Sequence, residues 1–296
     1  MDHFSISDLQ QFSGIKAHTI RMWEQRYDAL KPERSEGNTR YYNGQQLRRL
    51  LNIVSLIDSD HKVSELCAMP DEKLYDLLTS QLPGIGQAGH KYEYFVSQII
   101  AAAIEYNESL FEKVVSSAIL RFGLRDSYVK ILYPVLSRLG LMWSANSLRP
   151  AQEHFITCLF RQKFLTAVDS LPLSTSKRMW LLFLPPGEFH EIGLLFANFL
   201  LRQSGHRVIY LGSDVPIESL KAVTKELEPA CILFFLVRKN DQEENEELIL
   251  HLSREFKNQK IYVACEPSRL QPTRKGTRVI ALHSVEHLEA AIKETV

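Results

Sequence analysis

From Met179 to the end of the chain, five short apolar runs alternate with amphipathic ones, and this alternation restricts the fold more than any other feature. The apolar runs are Met179 to Leu184, Val208 to Leu211, Ala230 to Val237, Ile261 to Val263 and Val279 to Ala281. Helical runs near 190–203, 217–227, 241–255 and 284–294 separate and follow them. Parallel strands need crossover connections of about this length, so the order predicts a five-stranded parallel sheet covered by helices on both faces. Ligands of such sheets bind beyond the carboxyl ends of the strands, which directs attention to the loops after Leu184, Leu211, Val237 and Val263.

Upstream the texture is helical. Tyr94, Ile99, Ala102 and Ala103 mark one helix, Leu110, Val114, Val115 and Ile119 a second, Val129, Leu132, Val135, Leu136 and Leu139 a third, and Ala151 to Val168 a fourth. Four helices with short connections predict a bundle. Before them, residues 4 to about 79 are short helices and turns that end at Leu82 to Gly89, where a proline and three glycines mark a linker. The expected fold class is multidomain α and α/β, in four segments. They are a winged helix-turn-helix over 1–80, a linker over 81–90, a four-helix bundle over 91–172, and a flavodoxin-like, Rossmann-like five-stranded parallel-sheet domain over 173–296.

The head carries donors in a pattern suited to duplex DNA. Phe4 to Leu9 reads as a short strand or arm leading into a helix capped by Ser7, and Gly14 marks a turn before a second helix that starts near Lys16 to His18. Ile20 and Trp23 fall three apart on its inward face, which turns His18, Arg21, Gln25 and Arg26 outward. A helix entering the major groove needs donors on its free face and an apolar anchor behind. Pro32 to Tyr42 then reads as a hairpin about Gly37 and Asn38, a wing that carries Arg34 and Arg40 toward phosphates. Asn43 and Gln46 form a capping-box-like start to a helix that buries Leu47, Leu50, Leu51, Val54 and Ile57.

The chain has 35 Lys plus Arg against 35 Asp plus Glu, and this balance does not exclude DNA, because binding needs a local basic surface rather than a basic chain. Cys67, Cys158, Cys231 and Cys265 lie far apart, which suits a reducing compartment and makes structural zinc unexpected. No apolar run approaches a membrane span and the start resembles no signal peptide, so a cytoplasmic protein without a membrane partner is expected.

The ordered strings IKAHTIRMWEQRY and LKPERSEGNTRYY resemble the DNA-binding domain of MerR-family transcription regulators over roughly residues 4 to 72. The resemblance implies a second helix in the major groove, a wing on the backbone, and a dimer on near-palindromic promoter DNA. It assigns contacts to Arg21, Arg26, Arg34, Arg40 and Tyr42, beside the outward His18. The long dimerisation helix common in that family does not follow this head, so self-association to a dimer or tetramer must come from elsewhere.

After the first strand of the sheet comes Gly187-Glu188-Phe189-His190-Glu191-Ile192-Gly193. An imidazole at a strand-to-helix loop, with a glycine three residues on, can reach a planar ligand over the sheet edge while the backbone approaches closely. If His190 ligates a metal through one nitrogen, the other needs an acceptor, and Glu188 is the candidate. The string resembles the D/E-x-H-x-x-G signature of cobalamin-binding domains, which implies His190 as the lower axial ligand of cobalt. Trp143, followed after nine residues by Glu153-His154, resembles the light-sensing adenosylcobalamin-dependent regulators of carotenoid synthesis. That likeness implies Trp143 and Glu153 packed around the adenosyl group, and His154 as its replacement after photolysis. In such relatives the adenosylated form assembles into tetramers that repress.

The sequence departs from the cobalamin pattern at three places, one of them the last loop, around Leu282-His283-Ser284, a polar turn without a distinctive match. Phe234 or Phe235 stands where a small hydroxyl is usual after the third strand, and Ala264-Cys265 where two glycines are usual after the fourth. Two readings stay open for the C-terminal region: a pocket that binds cobalamin, or one that has lost it and serves oligomerisation or another ligand. An enzyme is not expected, because no catalytic dyad, phosphate-cradling loop or substrate barrel accompanies these motifs.

Overall fold

The computed structural model describes residues 4–35, 37–57, 61–81, 91–144, 149–176, 178–238, 242–267 and 279–295. Of the expected linker, 81–90, Gln81 ends a helix and 82–90 lie outside the described residues. The chain forms two compact units, residues 1–158 and 159–296.

The first unit opens with α1 (Ile6–Ser13) and α2 (Ala17–Tyr27). The cap of α1 is Ser5 rather than Ser7: its hydroxyl accepts from the Asp8 amide and the Asp8 carboxylate accepts from the Ser5 amide, a reciprocal capping box. Phe4 is not part of a strand but forms an isolated bridge with Tyr42, Phe4 N donating to Tyr42 O at 2.7 Å and Tyr42 N to Phe4 O at 2.8 Å. Gly14 turns the chain with φ +73°, and the Gln10 side chain accepts from the Ala17 amide at 2.8 Å, fixing the start of α2. Strands β1 (Glu33–Arg34) and β2 (Arg40–Tyr41) pair antiparallel around Asn38, whose φ is +60°.

Helix α3 (Gly44–Leu56) is capped by Asn43, but only half of the expected box forms, because the Gln46 side chain donates to the Lys31 carbonyl instead. Its burial extends beyond the predicted stripe to Asn52, Ile53 and Ser55, and Ile57 lies past its end, half-buried. The cause is a second neighbour: Gln98 of α6 (Lys91–Ile104) donates to Asn52 and Ser55, each at 3.2 Å. Arg49 staples α4 (Val63–Ala68) and α5 (Asp71–Gln81) to the head by donating to the carbonyls of Ala29, Cys67 and Met69 and pairing with Asp71.

Helices α7 (Glu108–Ser127) and α8 (Tyr133–Ser144) are joined by a π turn over Tyr128–Leu132. Gly123, with φ +72° and ψ 165°, breaks α7 one turn earlier. Helix α9 (Pro150–Asp169) starts against the end of α6, where Gln152 donates to the Ile104 carbonyl at 2.9 Å and Phe155 meets Tyr106 edge-on at 5.5 Å.

The second unit contains β3 (Met179–Phe183), β4 (Arg207–Gly212), β5 (Cys231–Leu236), β6 (Lys260–Cys265) and β7 (Val279–Leu282). All are parallel, in the order β4-β3-β5-β6-β7, which is the flavodoxin-like arrangement. Leu181, Phe183, Ile232, Phe234, Ile261 and Val263 face α11 (Ile217–Leu227) and α12 (Gln242–Glu255) in a continuous core. Alternate residues face the other way, toward α10 (Glu191–Gln203) and α13 (Val285–Glu294), and there Trp180 stacks on Tyr262 at 5.1 Å. Among the described residues no helix is long and apolar enough to cross a membrane.

Candidate DNA-contact face and cofactor site

Ile20 and Trp23 are buried under α2, while His18, Arg21, Gln25 and Arg26 are exposed on its far side. Arg34 is exposed on the wing, where Nη1 donates to Asn38 Oδ1 at 2.5 Å. Tyr42 corrects the expectation of a contact residue. It is fully buried, because the bridge to Phe4 turns its ring inward, and its hydroxyl donates to Glu24 Oε2 at 2.9 Å. Burial first, and then the Glu24 carboxylate, raise that hydroxyl well above its ordinary pKa, so it stays a donor.

Arg40 Nε donates to the other oxygen of Glu24 at 2.8 Å. Glu24, which the sequence reading did not single out, therefore ties the recognition helix to both wing residues. Its side chain is 10% exposed, so the pair with Arg40 is less screened than a surface pair. Glu24→Gln is expected to weaken binding of any duplex several-fold, since the wing loses its anchor at a cost of about 1 kcal/mol. Fluorescence anisotropy with a labelled duplex measures this, and unchanged affinity would show that the wing holds without the clamp.

In the second unit, the strand order reverses between β3 and β5, and the carboxyl ends of those strands are where sheets of this kind form their ligand crevice. Glu188, in the loop after β3, is buried and spans that crevice: Oε2 accepts from the amides of Val237 and Arg238 at 2.8 and 2.7 Å, beyond the end of β5. Its Oε1 accepts from the amides of Phe189 and His190 at 3.0 and 3.1 Å and from His190 Nδ1 at 2.5 Å. Burial pushes the carboxyl pKa up, but the bonds from the His190 ring and the Arg238, His190 and Val237 amides outweigh it and bring it down to about 2. The carboxylate is thus ionised and fixes the imidazole as the Nδ1–H tautomer.

His190 occupies the N-cap position of α10, yet its side chain makes no capping bond. Its imidazole is 58% exposed and held by Glu188, so a metal would be met by Nε2. Phe189, 63% exposed, adds an apolar ring beside it.

The two phenylalanines of β5 separate by strand parity. Phe234 is fully buried in the α11–α12 core, stacked on Phe183 at 5.5 Å, away from the His190 side. Phe235 faces α10, and its ring stands where a Cβ on Gly193 would be, 2.7 Å from Cε1. Ala264 and Cys265 end β6 half-buried, and the Cys265 carbonyl accepts from His283 Nδ1 at 3.1 Å.

On α9, His154 is 78% exposed and 3.8 Å from Glu153, which accepts from the Thr157 hydroxyl at 3.0 Å. Trp143 belongs to the backbone of α8, and its side chain lies outside the described residues.

The description "MerR HTH family regulatory protein" matches residues 4–69, and "B12 binding domain" matches residues 95–166, the helices α6 to α9. The HTH-type transcriptional repressor CarH of Myxococcus xanthus is 27% identical over 252 residues, 84% of either chain. This is a MerR-type regulator joined to a cobalamin-binding domain. The chain is likewise similar to the repressor CarA of the same organism, 29% identical over 241 residues, 81% of this chain and 78% of that one. The monomethylamine corrinoid protein of Methanosarcina barkeri shares the fold, with a TM-score of 0.54 at 15% identity over 68% of this chain and 98% of that one.

Proposed function

We propose that the chain is a transcription repressor whose hold on promoter DNA is set by adenosylcobalamin and by light. The observation that carries this reading is His190, which makes no capping bond to its helix and is held by an ionised buried Glu188 at the carboxyl end of the sheet, in a chain whose residues 4–69 match a MerR-type head. A lone imidazole suits a metal that arrives with its other ligands, as cobalt in a corrin does. Adenosylcobalamin, when bound, supplies a cobalt–carbon bond that visible light cleaves. His190 would ligate the cobalt, Glu188 would fix its tautomer and Phe189 would meet the ring, and, as the resemblance implies, Trp143, Glu153 and His154 would serve the adenosyl group. His18, Arg21, Arg26, Arg34 and Arg40 would meet the duplex, with Tyr42 and Glu24 behind them. Self-association to a dimer or tetramer through regions beyond the head would pair two heads on one promoter, in the cytoplasm. Both repressor relatives support a regulator rather than an enzyme.

A second reading rests on Phe235. The resemblance expects a small hydroxyl after the third strand, where this chain has Phe234 or Phe235, and the Phe235 ring fills the space beside Gly193. A pocket closed by that ring would take a different or truncated ligand, or serve oligomerisation.

Absorbance separates the two. The full chain mixed with adenosylcobalamin in darkness and desalted is expected to retain corrinoid bands, and His190→Ala to lose most of them. A wild-type chain that emerges colourless would establish the second reading.

A further inference from the structure

The turn of the helix-turn-helix is gripped by a helix of the cobalamin-binding region. Arg138 of α8 places Nη1 and Nη2 on the two carboxylate oxygens of Glu93 of α6 at 2.6 and 2.8 Å, and Nη1 also donates to the Phe12 carbonyl at 3.4 Å. Nη2 stands 3.1 Å from where a Cβ on Gly14 would be, so the guanidinium lies directly against the left-handed residue that sets the angle between α1 and α2. The two side chains are 20% and 29% exposed, which makes this a half-buried, two-pronged ion pair rather than a solvated one. A forked pair of this kind is either made or broken, whereas an apolar contact slides.

The same helix α8 carries Trp143 five residues further on, about 7.5 Å along its axis. Immediately before α8 lies the π turn at Tyr128–Leu132, and before that the break at Gly123. Both are irregularities at which a helix can be re-aimed without melting.

We propose that Arg138 is a positioning residue that couples α8 to the DNA-binding helix. A displacement of α8 at its Trp143 end is passed through the Arg138–Glu93 fork to the Gly14 turn and so to the angle of α2. The proposal rests on the reading that the ligand is met by Trp143, Glu153 and His154.

The test uses the full chain as wild type, Arg138→Gln, Glu93→Gln and the double variant, with Arg138→Lys, which keeps the charge and loses the fork, as a milder substitute. The duplex is one selected from a random pool by the wild-type chain. Its affinity is measured for unloaded chain and for chain loaded with adenosylcobalamin in darkness, and loading is read by absorbance. All variants are expected to load as wild type does. The loaded-to-unloaded affinity ratio is expected to move toward one by about fivefold or more. The double variant should match either single, because one pair is removed in each case. A wild-type ratio in Arg138→Gln and Arg138→Lys, or additive effects in the double variant, overturns the coupling. If the wild-type ratio is itself one, the cobalamin reading fails separately, and the fork is then judged by hydrogen exchange of amides 13–17 in the unloaded chain. Faster exchange in Arg138→Gln supports the grip on the turn, and unchanged exchange overturns it.

Discussion

Replacing Glu188 with alanine is expected to lower the stability of the sheet unit by about 3 kcal/mol, a fall of roughly 10 °C in its melting midpoint. Four backbone amides and the His190 ring lose their common acceptor. Melting followed by circular dichroism measures the change, and a loss below about 0.5 kcal/mol would show that the crevice does not depend on this carboxylate. Acid should act in the same direction. The carboxyl titrates at about 2 in the folded chain against an ordinary 4.5, so its contribution is complete above about pH 4.5 and is lost as the pH falls toward 2. Glu188→Gln removes that segment of the acid dependence, because its side chain takes up no proton there.

Gly193→Ala is expected to change sign with its background. In the native chain the added methyl group meets the Phe235 ring at 2.7 Å, so one of them must move, at a cost of about 1–3 kcal/mol. In a Phe235→Ala background the obstacle is gone. The same substitution, within the first turn of α10, should then be neutral or stabilising by up to about 1 kcal/mol, as alanine for glycine in a helix usually is. Equal destabilisation in both backgrounds would mean that the ring yields freely, and that Gly193 is required for another reason. The same cycle bears on the cofactor, since Phe235→Ala removes a bulky ring where the resemblance expects a small hydroxyl.

The sheet was legible in the sequence because parallel strands buried on both faces read as continuous apolar runs, and all five appear where those runs lie. Continuous runs also hide which residue faces which side. Phe234 and Phe235 are adjacent and chemically identical, and only the register of β5 sends one into the α11–α12 core and the other onto Gly193. Tyr42 was misplaced for a related reason: a two-residue wing strand has too little alternation to mark a face, and the deciding partner, Phe4, lies at the far end of the head. The cap of α1 was not readable from spacing, since Ser7 stands three residues before Gln10 just as Ser5 does before Asp8; the structure decides for Ser5 because the Gln10 side chain is engaged by the Ala17 amide. Glu24 and Arg138 act through contacts 16 and 126 residues distant in the chain, and no local pattern announces either.

The central claim is that cobalamin controls the grip of the head on DNA. It is tested most directly by titrating a labelled, pool-selected duplex with full chain loaded with adenosylcobalamin in darkness, and repeating the titration on the same sample after illumination. The account predicts tight binding in darkness and a loss of affinity of about tenfold after light, within the roughly 5–150-fold range typical of allosteric coupling. Superimposable dark and illuminated curves from a cobalamin-loaded chain would contradict it.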